Sequence, residues 1–388
     1  MKAEKWSGIP EIGVGMLGHS FMGKAHSNAY KQMPYIFWPP PAVPRLVSIC
    51  GRNEDVLKEA ATRFGWEEYT TDWHELVADN RVQIFDNSAA NYLHDGPSIA
   101  AAEAGKHILC EKPMAMSAAK GKGMLEAVVK AGVKHMVNFN YRLVPAIRLA
   151  KMLIENGEIG EIYHFRARYL QEALVDPSHP WTWRSAQATG GYGVLGDLGS
   201  HVIDLARFLA GEPKYLSAMM TTFVKERPLP DGSGKMGKHE TDDAFQTIVQ
   251  FENGALGVIE ASKFCPGRKN MNMWEINGSK GSIAFNLEQL NELWVYKTDT
   301  NPREANGFRN VLVTEQYHPF YEYWWPVGHI IGWENLFVHG VYLFMKAVAE
   351  NTPLDRYVAT FEDGYRNAVI SDAIAEASRT GGRVEIKY

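Results

Sequence analysis

Asp197, His201 and Asp204 stand at i, i+4 and i+7, so on a continuous helix they share one face. An imidazole titrates near working pH and can take or give a proton, while a neighbouring carboxylate can orient it or hold a hydroxyl. The entry to this stretch carries Gly190, Gly191, Gly193, Gly196 and Gly199, and it reads as flexible before a helix over Ser200–Ala210. A capped helix fits the same residues, with Asp197 near the N-cap and His201 a hydrogen-bonded core side chain.

The first half of the chain must give such a face something to act on. A strand is expected at Ile12–Leu17, followed by a turn at Gly18–Gly23 and a helix ending near Met33, before Pro34. Glycines at 13, 15 and 18 also match G-x-G-x-x-G, but that register buries two of them in the only apolar run able to form the strand. In the register preferred here, Gly18 makes the tight turn and Ser20 takes the second glycine's place. Gly23 then lets the helix pack closely on the strand. Further strands are expected at Arg45–Cys50, Val82–Asp86, His107–Cys110 and Lys134–Phe139. They alternate with helices at Glu54–Phe64, Thr71–Ala78, Leu93–Ala104, Ser117–Ala131 and Val144–Asn156. That alternation predicts an α/β chain whose N-terminal part is a Rossmann-type, doubly wound parallel sheet.

Ligands bind beyond the carboxyl ends of such strands. These ends place Gly18, Ser20, Phe21, Met22 and Gly23, then Arg52, then Asn87, Ser88 and Asn91, then Glu111 and Lys112 as coenzyme contacts. The second strand ends in Gly51-Arg52-Asn53, without the acid that usually holds the ribose hydroxyls of NAD, so NADP is slightly favoured and NAD stays open. An ammonium beside a bound nicotinamide cation is disfavoured, so Lys112 could hydrogen-bond a substrate hydroxyl that loses hydride. An exposed loop lysine is the plain alternative, and Pro113 makes the turn rigid. Pro34–Pro44 reads as an extended proline-fixed path, either a rim over the coenzyme or a partner surface.

In the second half, Glu161–Leu170 is expected to be a strand with Tyr163, Phe165, Ala167 and Tyr169 on one face. Strands at Thr241–Phe251, Ala255–Ser262, Asn270–Asn277, Gly281–Asn286 and Glu292–Lys297 follow. Glycine turns join several of them and predict an open, mostly antiparallel sheet. Trp183 and Arg184 offer a stacking plane and hydroxyl donors, or equally a core plug with a surface charge. Lys225–His239 reads as a mobile loop. The aromatic run Tyr317–His329 either walls a pocket or lies in a subunit interface, and His329 is a weaker candidate sugar contact. Helices are expected at Trp333–Glu350 and Phe361–Thr380, packing back on the first domain, with a last strand at Arg383–Tyr388.

Glu111-Lys112-Pro113 after a Rossmann strand, then Gly190-Gly191 through Asp197-x-x-x-His201-x-x-Asp204, resembles the Gfo/Idh/MocA family over nearly the whole chain. Gly18–Ser27, Asn138–Arg142, Tyr169-Leu170-Gln171, Trp183-Arg184 and Trp325-Pro326 resemble its pyranoside dehydrogenases more closely. The resemblance implies a dinucleotide-binding domain at 1–138. It implies a substrate-binding and oligomerisation domain at 139–388, in a homodimer or homotetramer. It places the catalytic groups on Lys112, Asp197 and His201, and sugar contacts on Tyr141, Gln171 and Arg184. Three departures stand out: Ser20 replaces a common Gly, Gly51 stands where the closer branch has an acid, and Asn87–Asn91 lacks the usual Pro.

The 388 residues suit two domains, and a net charge of −5 gives no reason to invoke nucleic acid. No apolar run of about 18 residues is long enough for a membrane span. Met1–Gly8 has no leader-like apolar core, and three scattered cysteines suit reduced thiols in the cytoplasm. The aromatic content, with 11 Trp, fits either sugar stacking or a large aromatic core. No His, Cys and carboxylate set has metal-ligand spacing. Together these features predict an NAD(P)-dependent dehydrogenase of a secondary hydroxyl on a pyranose, glycoside, anhydrosugar or inositol. His201 would act as acid/base, Lys112 as a hydrogen bond to the same oxygen, and Asp197 as an orienting group. The alternative is a glycosidase or lyase that keeps NAD(H) bound and oxidises C3 only transiently.

Overall fold

Glycine at positions 13 and 15 decides how the first strand sits. In the computed structural model, which describes residue 6 and residues 8–388, both lie inside β1 (Glu11–Leu17). A Cβ on Gly13 would fall 1.8 Å from the Arg81 carbonyl oxygen, and one on Gly15 would fall 3.0 Å from Val82. Close backbone approach thus accounts for these glycines, and the turn proper begins at Gly18, whose φ is +114°. The expectation for Met1–Gly8 lies almost wholly outside the described residues.

The chain divides into two units. The first holds residues 1–115, 119–143 and 332–365; the second holds 116–118, 144–331 and 366–388. The first unit is built on β1, α1 (Phe21–Ile36), β2 (Val43–Cys50), α2 (Glu54–Phe64), β3 (Glu68–Thr70), α3 (Trp73–Ala78) and β4 (Ile84–Asn87). It continues through α4 (Asp95–Glu103), β5 (His107–Cys110), α5 (Ala118–Ala131) and β6 (His135–Val137). The six strands form one parallel sheet in the order β3-β2-β1-β4-β5-β6, the doubly wound topology expected. Local chemistry sets the helix ends. Asn53 accepts the Val56 N–H to start α2, Gly65 closes it at φ +73°, and Asp72 accepts the His74 N–H to start α3. Phe85, Ile108, Cys110, Met124, Val137, Phe139 and Phe361 are sealed in the core against the sheet.

Two expectations fail here. Helix α1 does not stop before Pro34 but runs to Ile36. Proline gives up only its own N–H, and in the last turn Phe37 still donates to the Met33 carbonyl at 2.9 Å. Residues 34–44 are accordingly no single extended path: they hold the helix end, a short bend with a cis Trp38–Pro39 bond, and the start of β2. Phe37 is buried and stacks on Tyr342 at 3.8 Å. Strand β3 has no counterpart among the expected strands; three residues carry too little alternation to register.

The second unit holds α6 (Pro145–Glu155), β7 (Ile162–Leu170), the single turn α7 (Gln187–Gly190), α8 (Ser200–Ala210) and β8 (Pro213–Thr221). After a ribbon of β9 (Glu226–Pro228) and β10 (Met236–Lys238) come β11 (Ala244–Phe251), β12 (Leu256–Ser262), β13 (Met271–Gly278), β14 (Gly281–Asn286), β15 (Glu292–Lys297) and β16 (Arg309–Leu312). Helix α9 (Asn335–Ala349) belongs to the first unit, α10 (Phe361–Thr380) to the second from Arg366 onward, and β17 (Val384–Glu385) closes the chain. Nine strands run in the order β16-β15-β14-β13-β7-β12-β11-β8-β17, antiparallel except for the β7–β12 pair. Helices α6 and α8 pack on one face of this sheet. On β7 the buried set is Phe165, Ala167 and Tyr169, whereas Tyr163 is exposed; it falls at a break in the pairing register with β13.

Lys225–His239 is not a mobile loop. Met236–Lys238 pairs with Glu226–Pro228, and Arg227 is buried, donating to the carbonyls of Leu174 (2.9 Å) and Asp176 (3.1 Å). Its Pro and Gly residues punctuate a hairpin. Among the described residues no helix is long and apolar enough to cross a membrane.

Candidate active site

In the first unit, the Gly18–Gly23 turn is a cradle that larger side chains would fill. A Cβ on Gly18 would lie 2.6 Å from the Ser88 carbonyl oxygen, and one on Gly23 would lie 2.4 Å from that of Gly18. Helix α1 therefore begins tight against the end of β1. Lys24 is the first residue to donate within the helix, to Ser20 at 2.9 Å, so the N–H groups of Phe21, Met22 and Gly23 point outward at the positive end of the helix. That donor set fits a pyrophosphate. Ser20 is the N-cap by position but makes no side-chain cap bond, and Phe21 stacks on Trp333 at 5.5 Å.

At the end of β2, a Cβ on Gly51 would collide with the His19 ring, 2.3 Å from Nδ1. The His19 side chain thus lies against Gly51 and would have to shift for any larger residue there. Burial, then the adjacent Arg52 charge, pushes its pKa below the ordinary histidine value. Arg52 itself is exposed.

Asn87 is fully buried, and its amide donates to Leu93 O (2.9 Å) and Ser98 Oγ (3.0 Å), so it shapes the loop that carries Ser88 and Asn91. The Ser88 hydroxyl reaches back to the Leu17 and Gly18 carbonyls at 3.3 Å. The His94 ring stands between the carbonyls of Ala89 (3.1 Å) and Pro113 (2.8 Å), tying this loop to the cis Lys112–Pro113 turn. Glu111 is buried and accepts the Lys112 backbone N–H. Tyr141 is buried in the turn after β6.

In the second unit, the glycines around Asp197 serve close packing rather than flexibility. A Cβ on Gly193 would lie 2.2 Å from the Asp242 carbonyl oxygen, and one on Gly199 would lie 2.7 Å from the Phe245 ring. Asp242 accepts the N–H groups of Gly193 and Leu195, both at 2.7 Å. Burial pushes its carboxyl pKa up, and those two N–H groups oppose the rise. The chain passes through a π-helical turn, Leu195–Gly199, directly into α8. Such a wide turn is a recurrent feature of functional helices. Asp197 sits on it, half-buried, with Oδ2 2.5 Å from Lys263 Nζ. His201 is buried one turn on, its ring 6.0 Å from that of Tyr169, and Asp204 is buried deeper still.

Asp197 and Lys263 line a cavity of about 290 Å³ with Arg184, Thr182, His179 and Arg227. Arg184 is exposed and holds its guanidinium 4.2 Å over the half-buried Trp183 ring, so that tryptophan is not a core plug. Gln171 and Tyr169 both donate to Asn270 Oδ1, at 2.7 and 2.8 Å. His329 does not line this cavity. It is exposed, with Nδ1 2.8 Å from the Pro326 carbonyl. The aromatic run before it is pinned by Asn291, which accepts the Tyr321 hydroxyl at 2.8 Å.

Sequence reasoning missed Lys263, Asn270 and Asp242. Lys263 follows β12 directly, so a strand-end rule applied to the second sheet would have raised it; Asn270 and Asp242 carry no comparable signal. Among the described residues no three His, Cys, Asp or Glu side chains are placed to hold a metal ion.

Residues 12–139 match the oxidoreductase family with an NAD-binding Rossmann fold, and 147–284 match the GFO/IDH/MocA C-terminal domain. Levoglucosan dehydrogenase of Pseudarthrobacter phenanthrenivorans is 42% identical, over 97% of this chain and 99% of its own length. Myo-inositol 2-dehydrogenase of Thermotoga maritima is 29% identical over 74% of this chain and 78% of its own. A solved structure of levoglucosan dehydrogenase with NADH and levoglucosan superposes with a TM-score of 0.93 at 42% identity, covering 97% of this chain and all of that one. With its parallel dinucleotide sheet, its antiparallel second sheet and this near full-length likeness, the chain is an oxidoreductase of the Gfo/Idh/MocA family.

Proposed function

We propose that the protein is a dehydrogenase that oxidises a secondary hydroxyl of a pyranose, glycoside, anhydrosugar or inositol. The observation that carries this reading is the full-length likeness to levoglucosan dehydrogenase; the sequence also carries Lys112, Asp197 and His201. His201 takes the hydroxyl proton, Lys112 hydrogen-bonds the oxygen, and Asp197, held by Lys263, orients the sugar. A bound nicotinamide coenzyme supplies the hydride acceptor. Gln171, Trp183, Arg184 and Tyr141 are the sugar contacts in this reading. In this reading residues 1–138 hold the coenzyme and 139–388 the substrate.

The end of β2 favours NADP. No acid stands at 51, where the His19 ring lies against the glycine, and Arg52 supplies a charge for a 2′-phosphate. The outer face of the second sheet pairs with another copy of this chain. Ile248 and Val258 are directly opposed there and exposed, with Leu256 exposed on the same strand as Val258 and Met219 on β8. The free buried thiols of Cys50 and Cys110 suit the reducing cytoplasm.

The test is a coenzyme-reduction screen over levoglucosan, pyranoses, glycosides and inositols, with NAD and NADP in parallel. Reduced coenzyme appearing in step with substrate supports the proposal. Release of an aglycone without net reduction would instead establish the transient-oxidation chemistry of a lyase.

A further inference from the structure

Three adjacent strands of the parallel sheet end in one buried polar cluster. Asp86 lies in β4, Glu111 follows β5, Asn138 follows β6, and α1 contributes His26 and Tyr30. His26 is 1% exposed and Asp86 0%; Glu111 and Asn138 are also buried. His26 Nδ1 lies 2.8 and 3.0 Å from the two Asp86 oxygens, and Nε2 lies 2.9 Å from Glu111 Oε1. Both ring nitrogens face carboxylates, so both must donate, and the ring is an imidazolium. The Tyr30 hydroxyl donates to Asp86 at 2.9 Å and the Asn138 amide to Glu111 Oε1 at 2.6 Å. The second Glu111 oxygen accepts the Lys112 backbone N–H at 3.1 Å.

A buried cation between two buried carboxylates is a poor way to gain stability, since desolvation offsets most of the attraction. What it supplies is direction. Without the ring the two carboxylates repel each other, and Glu111 is released from the position in which it meets Lys112. We propose that His26 is a positioning residue: bridging Asp86 and Glu111, it holds the Glu111 carboxylate against the Lys112 N–H and so sets the line along which the lysine side chain leaves β5. This rests on the proposed role of Lys112. His26 is sealed in the core, and its ring nitrogens meet Asp86, Glu111 and Asn138.

The experiment compares wild type, Lys112→Met and His26→Gln. It measures melting temperature, coenzyme affinity by fluorescence titration, and turnover of levoglucosan with and without deuterium on its ring carbons. Glutamine can serve only one of the two carboxylates. His26→Gln is expected to bind coenzyme within about threefold of wild type, to lose about tenfold or more in kcat, and to show a larger isotope effect, because misplacement slows the hydride step itself. If His26→Gln does not fold, the isosteric Asp86→Asn weakens one side of the clamp and should lower kcat about threefold with the same rise in isotope effect. A folded variant with wild-type kcat and isotope effect, beside an inactive Lys112→Met, overturns the proposal. An active Lys112→Met instead overturns the role assigned to the lysine.

Discussion

Lys263 Nζ lies 2.5 Å from Asp197 Oδ2, which makes the aspartate of the glycine-rich stretch one half of an ion pair facing a cavity. Strand β12 delivers the lysine and the π-turn delivers the carboxylate. Lys263→Met should leave Asp197 without its cation and free to swing. The expected result is a loss of about tenfold in kcat/KM for the sugar, with coenzyme affinity unchanged. Steady-state kinetics beside a coenzyme titration will show it; an equal loss in both would place the pair in the scaffold instead.

Lys112→Ala and His201→Ala should each reduce turnover by at least about a hundredfold while coenzyme still binds. Retained turnover in either variant removes that residue from the chemistry. Binding must be measured on the same preparations, so that loss of fold is not mistaken for loss of chemistry.

Arg52→Ala should weaken NADPH binding about tenfold and NADH binding less than about twofold, because only the former carries the phosphate that a guanidinium would pair. The effect on NADPH should also shrink as salt is raised. Equal effects on both coenzymes would mean that Arg52 does not read the 2′-phosphate.

Burial by itself lowers the His26 pKa, but the charges and hydrogen bonds of Asp86 and Glu111 outweigh it and raise the value to about 10. A histidine raised above its unfolded value of about 6.5 contributes stability that is complete below that pH and is lost as pH climbs toward 10. Stability to urea should therefore fall by about 1.4 kcal/mol per pH unit from this site between about pH 7 and 9. The groups facing the ring there are Asp86, Glu111, Tyr30 and Asn138, with the Phe337 ring 5.5 Å away. His26→Gln should flatten the slope. His135 works in the opposite sense: burial lowers it to about 4, so its contribution is lost as pH falls from about 6.5 toward 4.

Ile248→Lys combined with Val258→Lys should leave the fold intact and lower the molar mass by light scattering to that of one chain. Lysines on an exposed edge or face are tolerated, whereas a like-charge cluster within an apolar contact is not. An unchanged mass would move the contact between copies elsewhere.

Much of this molecule is legible in its residue order. Alternating apolar runs and amphipathic helices specify the parallel sheet, because each strand buried on both faces must be apolar throughout, and caps such as Asn53, Asp72 and Gly65 mark the ends locally. Glu111-Lys112-Pro113 and Asp197-x-x-x-His201 are local strings, so they too can be read. Other features require the folded chain. Asp197 and Lys263 are 66 residues apart, and His26 meets Asp86 and Glu111 across 60 and 85. No spacing rule connects them, since sheet register alone decides which strand ends become neighbours. The glycines around Asp197 read as flexible for the same reason: the Asp242 carbonyl and the Phe245 ring that demand them arrive from distant segments of the chain. Sequence by itself settled the kinds of element and named the candidate reactive groups. Tertiary structure alone decided which charges pair, because pairing is a property of distance in space and not along the chain.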